Sequence, residues 1–221
     1  NYELVDIKGH ALIGVFMFAS NRIALIPPDA YKLIPTIRRI LEVEPVTVTI
    51  AGSSIIGVMV AGNDYGLLLP HIAREDEVRL IKQSFDGNVL IVKSRHTALG
   101  NICLANNRAA LVHEDLFRDF KEAIRDVLNV EVVATGRIAG LSLVGSAAFV
   151  NNIGGLVHPD ATDEELKFLG DLFRVRFDVG TVNFGIGFIR SGLVGNDRGL
   201  LIGRRTTGPE LLRIMKVFGG A

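Results

Sequence analysis

SNRIALIP (20–27), GNDYGLLLP (62–70), ANNRAALVHE (105–114), NNIGGLVHP (151–159) and GNDRGLLIG (195–203) are five renderings of one segment. Anchored on Asn21, Asn63, Asn106, Asn151 and Asn196, they recur at intervals of 42, 43, 45 and 45 residues. A fixed period of this size marks an array of supersecondary units, each unable to bury its apolar face without its neighbours. The packing of units on one another is therefore set before any single residue is interpreted.

Working outward, unit two shows the pattern. Ser54–Ala61 is apolar and β-branched and reads as a strand. Asn63, Asp64 and Gly66 supply turn chemistry, since Asn and Asp tolerate left-handed backbone and Gly adopts it freely. Leu67–Leu69 reads as a second strand. Ile72, Val78, Ile81 and Phe85 then fall at helical spacing, and Asn88–Lys93 reads as a third strand. The unit is β-β-α-β, and the apolar stripes are core. In unit three the stripe is Leu116, Phe120, Ile124, Val127 and Leu128. Thr162 and Glu165 have capping-box spacing in unit four, and Thr207, Pro209 and Glu210 repeat the device in unit five. Pro35 should kink or split the helix of unit one.

The expected units span 10–52, 53–94, 97–136, 141–182 and 185–221, in one domain over 1–221. The first four end in strands at Pro45–Ala51, Asn88–Lys93, Val130–Thr135 and Val175–Val182, whereas unit five lacks one. Tyr2–Ile7 is strand-like and unassigned. It is expected to complete unit five and close a ring, which removes exposed sheet edges.

Composition narrows the function. Apolar residues make up 48% and charged residues 22%, enough for a large core. Formal net charge is zero, which argues against a protein held on nucleic acid by bulk charge. Cys103 is the single cysteine, so no internal disulfide forms. Glu3, Asp6 and Lys8 are unlike a signal peptide. The uncharged runs Val46–Asn63 and Ile138–Pro159 match membrane spans in length, but glycines and asparagines mark them as strand–turn–strand.

Five β-β-α-β units about a pseudo-fivefold axis resemble the pentein fold, an α/β ring. The segments GSSIIGVMVAGNDYGLLLP, TALGNICLANNRAALVHEDL, VGSAAFVNNIGGLVHP and TTGPELL are similar to archaeal and eukaryotic translation initiation factor 6 over the whole length. The short C-terminus looks archaeal. The resemblance implies a cytoplasmic, non-enzymatic monomer that binds the large ribosomal subunit and keeps the small subunit away, with a role in large-subunit maturation. It implies contact with an L14-type ribosomal protein beside the sarcin–ricin loop, and no DNA or membrane partner. The asparagine that the family places in this contact corresponds to Asn106. Glu114 stands where the family often has Pro. The equivalent hairpins add Asn63, Asp64, Asn107, Asn151 and Asn152 as candidates. On this reading Asn106→Ser spares the fold and weakens binding.

The rival is a guanidino-modifying enzyme, because other proteins of this fold are deiminases and amidinotransferases. That chemistry needs a nucleophilic Cys, a His and paired carboxylates. The fifth unit, where such enzymes place the Cys, reads GFIRSGLVGNDRGLLIGRRTTGPELL and has neither Cys nor His. Cys103 is expected mid-strand and inert. Gly185 and Gly187 read as strand bends, not a phosphate loop. Arg204-Arg205 reads as a solvated pair. Ring symmetry could bring His113, His158 and His71 together, although no ligand spacing supports a metal. No residue is assigned a catalytic, cofactor or metal role.

Overall fold

Five copies of the repeat build five three-stranded sheets in the computed structural model. It describes residues 1–219, so the last two positions of the expected 185–221 unit lie outside the described residues. The chain begins with β1 (Tyr2–Val5). Unit one runs α1 (Ile13–Phe16), β2 (Phe18–Ala19), β3 (Ala24–Ile26), a 3₁₀ turn over Pro28–Leu33, α2 (Ile34–Ile40) and β4 (Pro45–Thr47). Unit two follows as α3 (Ile56–Met59), β5 (Ala61–Gly62), β6 (Gly66–Pro70), α4 (Glu75–Ser84) and β7 (Asn88–Val92). Unit three is α5 (Leu99–Ile102), β8 (Cys103–Ala105), β9 (Ala109–Val112), α6 (Glu114–Leu128) and β10 (Val132–Thr135). Unit four is α7 (Val144–Ala147), β11 (Ala148–Val150), β12 (Gly154–Val157), α8 (Asp163–Phe173) and β13 (Arg176–Val179). Unit five has a 3₁₀ turn over Ile189–Gly192, then β14 (Leu193–Gly195), β15 (Leu200–Gly203) and α9 (Gly208–Phe218).

Within each sheet the inner strand is antiparallel to the middle strand, and the middle strand is parallel to the outer one. The fifth sheet takes its outer strand from the start of the chain. β1 pairs parallel with β15, from Tyr2 opposite Leu200 to Val5 opposite Gly203. Sequence reading anticipates this closure. Among the described residues, no helix is long and apolar enough to cross a membrane.

Three expectations change. Ser54–Ala61 is not a continuous strand, because α3 forms one helical turn before β5 begins. Glycine permits that turn. A Cβ on Gly57 would lie 1.9 Å from the Gly14 carbonyl oxygen, and one on Gly100 would lie 2.1 Å from that of Gly57. The turns therefore stack backbone to backbone around the axis, which a straight strand could not do. For the same reason Cys103 opens β8 rather than sitting mid-strand. Gly185, at φ +94°, lies in a loop rather than a bent strand.

Pro35 acts as expected. It stands in the first turn of α2, where its missing N–H costs nothing, and the preceding segment stays 3₁₀. Thr162 and Glu165 exchange capping hydrogen bonds of 3.1 and 2.9 Å. Glu114 begins α6 directly after its N-cap His113, whereas Pro159 holds α8 off until Asp163.

The core lies between units as well as within them. Phe173 and Leu169 of α8 pack with Leu104, Ala109 and Leu111 of unit three. Each is essentially fully buried, worth about 2 kcal/mol for a large side chain. This is the energetic reason that one unit cannot fold alone.

Candidate functional site: the hairpin face

The five hairpins between inner and middle strands gather at one end of the ring. Their alignment corrects one anchor. The position matching Asn63, Asn106, Asn151 and Asn196 is Ser20, not Asn21, as Ser20 Oγ accepts from the N–H groups of Arg22 and Ile23. The intervals become 43, 43, 45 and 45 residues.

The four asparagines at this position are inward locks. Asn106 is 3% exposed. Its Oδ1 accepts from the N–H groups of Arg108 (2.9 Å) and Ala109 (3.1 Å), which closes its own hairpin. Its Nδ2 donates to the carbonyls of Asn151 (3.2 Å) and Phe173 (3.1 Å) in unit four. Asn63 makes the same bonds to Asn106 and Leu128, and Asn196 to Ser20 and Leu41. Asn151 donates to the carbonyl of Asn196. Each amide thus ties its hairpin to the hairpin of the next unit, and in three cases also to the end of that unit's helix.

The next position forms a closed rim. The N–H of Asn21 donates to Asp64, Asp64 to Asn107, Asn107 to Asn152, Asn152 to Asp197, and Asp197 to Asn21, over 2.7–3.2 Å. Side-chain amides of Asn21 and Asn107 also donate to Asp64, and those of Asn21 and Asn152 to Asp197. Both carboxylates are thereby solvated by protein amides. All five residues are half-buried.

The third position points outward. Arg22, Tyr65, Arg108, Ile153 and Arg198 are exposed. Sequence reasoning passed over them because they vary from copy to copy. That variation was itself the signal, since a turn requirement repeats and a contact need not. Of the six expected contact residues, Asn63, Asn106 and Asn151 therefore lie beneath the surface, and Asp64, Asn107 and Asn152 stand in the rim.

Behind the rim lies a cavity of about 60 Å³ within the bore. At the opposite end, Leu12, Val58, Leu143 and Phe188 border an apolar hollow of about 380 Å³. Arg190 borders both. It replaces the glycine found in the other four turns, and it too went unnoticed in the sequence.

Cys103 is buried, and that burial pushes its thiol up to about 12, which disfavours the thiolate that a nucleophile or metal ligand needs. His113 neighbours His96 and Asp115 instead of His158 or His71. His113 and His158 each accept from the N–H two residues ahead, which explains their recurrence. The His96–His113–Asp115 group has the elements of a cation site, but the chain's own cations fill it. His96 and Arg95 donate to Asp115 at 2.8 and 2.6 Å, and Arg118 lies 3.0 Å away. His96 foremost, then Arg95, holds the Asp115 carboxyl far below its usual range. Of the late basic doublet, Arg204 pairs with Asp6 at 2.8 Å.

Comparison with known proteins reaches all five units. The eIF-6 family model matches residues 2–217. Translation initiation factor 6 of Saccharolobus islandicus is 44% identical over 99% of both chains. That of Sulfolobus acidocaldarius is 44% identical over 98% of both, and that of Pyrococcus abyssi 39% over 98% of both. A solved structure of dimethylarginine dimethylaminohydrolase, as an adduct with S-methyl-L-thiocitrulline, matches 75% of this chain and 68% of its own. Its TM-score is 0.50 at 13% identity, a likeness of fold alone.

Proposed function

Because the chain belongs to the eIF-6 family, we propose that it binds the large ribosomal subunit and sterically keeps the small subunit from joining it. The membership sets it among translation factors and apart from the enzymes that share the ring, and it carries the reading. The hairpin end is the docking face. A body of this size can present a standard interface of roughly 800 Å² per partner, enough to cover a joining surface without catalysis.

The direct contacts fall to the exposed third positions, where Arg and Tyr are the residue types that dominate binding energy. Asn106 acts beneath them. It holds two units in register, so it shapes the face instead of reaching the partner. Arg22 pairs with Asp86, Arg108 with Glu131 and Arg198 with Glu42, so the outward arginines of this face are offset by carboxylates. This favours a protein over rRNA phosphates as main contact; the family resemblance adds to the proposal an L14-type ribosomal protein as that contact, with the nearby sarcin–ricin loop secondary, a monomeric state and a cytoplasmic location.

Sedimentation with isolated archaeal subunits tests the reading. The protein should travel with large subunits, not small ones, and reduce their joining. Equal binding to both subunits, or to neither, would overturn it.

A further inference from the structure

We propose that the seam between units three and four receives an acidic side chain, Asp or Glu, of the protein partner, which takes the place of Glu131 between Arg108 and Arg174. The inference rests on the hairpin end being the docking face. It comes from a position that repeats in geometry but not in charge. Asn196, Asn63 and Asn106 donate to the carbonyls of Leu41, Leu128 and Phe173, at the helix ends of units one, three and four. The residue that follows is Glu42, Asn129 or Arg174, each with left-handed backbone at φ 53°, 48° and 55°.

This residue follows the outward residue of the preceding hairpin around the ring. Arg198 meets Glu42, with 3.9 Å between Nε and Oε2, and at the one–two seam Arg22 meets Asp86. At the two–three seam Tyr65 is matched with the uncharged Asn129. Only at the three–four seam are both residues cations, Arg108 and Arg174. Glu131 bridges them. Its Oε1 lies 3.2 Å from Arg108 Nη1 and its Oε2 2.7 Å from Arg174 Nη2. One carboxylate thus serves two guanidiniums, and a positive charge is left over, whereas the other two arginine seams pair one to one.

The side chains of Arg108, Glu131 and Arg174 are 56%, 48% and 60% exposed. Pairs this open add little stability, so Glu131 can give way to a group from outside. A groove of about 480 Å³ opens at this seam, with Arg108, Arg174, Tyr65 and Val175 among its walls. Glu131 itself shows which ligand fits, a flat carboxylate with one oxygen for each guanidinium. Tyr65 and Val175 offer apolar surface to the stem of such a side chain. The two arginines come from different units, so their spacing depends on the register that Asn106 holds.

Binding of the full chain to purified archaeal large subunits, with melting measured alongside, tests the proposal. Arg174→Asn copies the residue of unit three at this position and suits the left-handed backbone, so melting should not change. Binding should fall about tenfold. Glu131→Gln removes the internal competitor and should tighten binding by about threefold. Carbodiimide coupling then identifies the ligand, because it joins an amine to a carboxylate in contact with it. With the double variant Arg174→Lys, Glu131→Gln on the large subunit, the introduced amine should couple to an Asp or Glu of a ribosomal protein. Equal binding by wild type and Arg174→Asn would overturn the proposal, as would unchanged or weaker binding by Glu131→Gln. Weaker binding by Arg174→Asn without such a coupling, and with a salt slope shallower by about one unit, would give the seam to an rRNA phosphate and overturn it too. In each of these cases wild type still binds and the proposed function stands. Failure of wild type itself to bind large subunits would remove the function and this inference together.

Discussion

The seam between units one and two and the seam between units three and four solve one problem from opposite ends. At the three–four seam the hairpin end is locked by Asn106, whose amide reaches Asn151 and Phe173. Small Ala109 lets α8 approach closely enough for those bonds. At the one–two seam the lock is missing, since Ser20 is too short to cross. Ile23 stands at the position of Ala109 and packs with Ile81 and Phe85 of unit two. The weight there shifts to the far end. Glu77 is 4% exposed and accepts from Thr49 Oγ1, the N–H groups of Ala51 and Gly52, and that of Arg74, at 2.7–2.8 Å. Its counterpart Glu165 is half-buried and accepts from Ala139 and Thr162 only. Pseudo-symmetry thus preserves the joint while moving its fastening.

The hardest break of this comparison is Glu77→Gln. The amide must present a donor to groups that are themselves donors, so stability should fall by about 3–4 kcal/mol at pH 7. The pH profile carries the sign. Burial pushes the Glu77 pKa up, but the hydrogen bonds from Thr49, Arg74, Gly52 and Ala51 outweigh it, and the folded value lies below the ordinary one. Its contribution is therefore present above the unfolded carboxyl pKa and lost as pH falls through the folded value. Urea unfolding from pH 7 to pH 3 should show the two proteins converging in acid. Parallel profiles would detach the carboxylate from the joint.

Next comes Ile23→Ala, which imitates unit three in the wrong seam. It should cost about 3 kcal/mol, as a cavity without a lock to offset it. Asn106→Ser imitates unit one in the other seam. Ser20 shows that a hydroxyl can still close the hairpin, but two buried carbonyls lose their donor. A cost of about 2 kcal/mol and a melting point lower by about 4–8 °C are expected. The two lost cross-unit bonds thus predict a cost where the sequence reading expects serine to spare the fold. An unchanged melting point would decide for the sequence reading.

The comparison also explains what was legible. Asn63, Asn106, Asn151 and Asn196 announce themselves because a turn and a lock coincide in one residue type. Ring closure by Tyr2–Val5 was readable because one unit was short of a strand. The Ser20 register was hidden by Asn21, a turn former one place along. The helical turn of Ile56–Met59 was hidden because Gly57 serves contacts to another unit, and local propensity holds no record of those. The outward residues were hidden by their own variety.

The smallest stability effect belongs to that last group, and it separates lock from contact. Tyr65 is 39% exposed and Arg108 is paired with Glu131 at the surface. Tyr65→Ser and Arg108→Ala should each change stability by less than about 0.5 kcal/mol, as surface positions do. If the hairpin end is the docking face, each should nevertheless weaken large-subunit binding, by about tenfold for a contact near the centre. Asn106→Ser is the mirror case, where stability falls first and binding falls with it. Measuring melting and sedimentation on all three variants distinguishes the roles. Binding that drops only in Asn106→Ser would mean that the ring's integrity matters and this face does not. Binding that drops in Tyr65→Ser and Arg108→Ala at an unchanged melting point assigns the contact to residues that no repeat would have singled out. Salt adds a last discrimination, since a protein-dominated interface should weaken only shallowly as ionic strength rises, while phosphate contacts would steepen the slope by roughly one unit each.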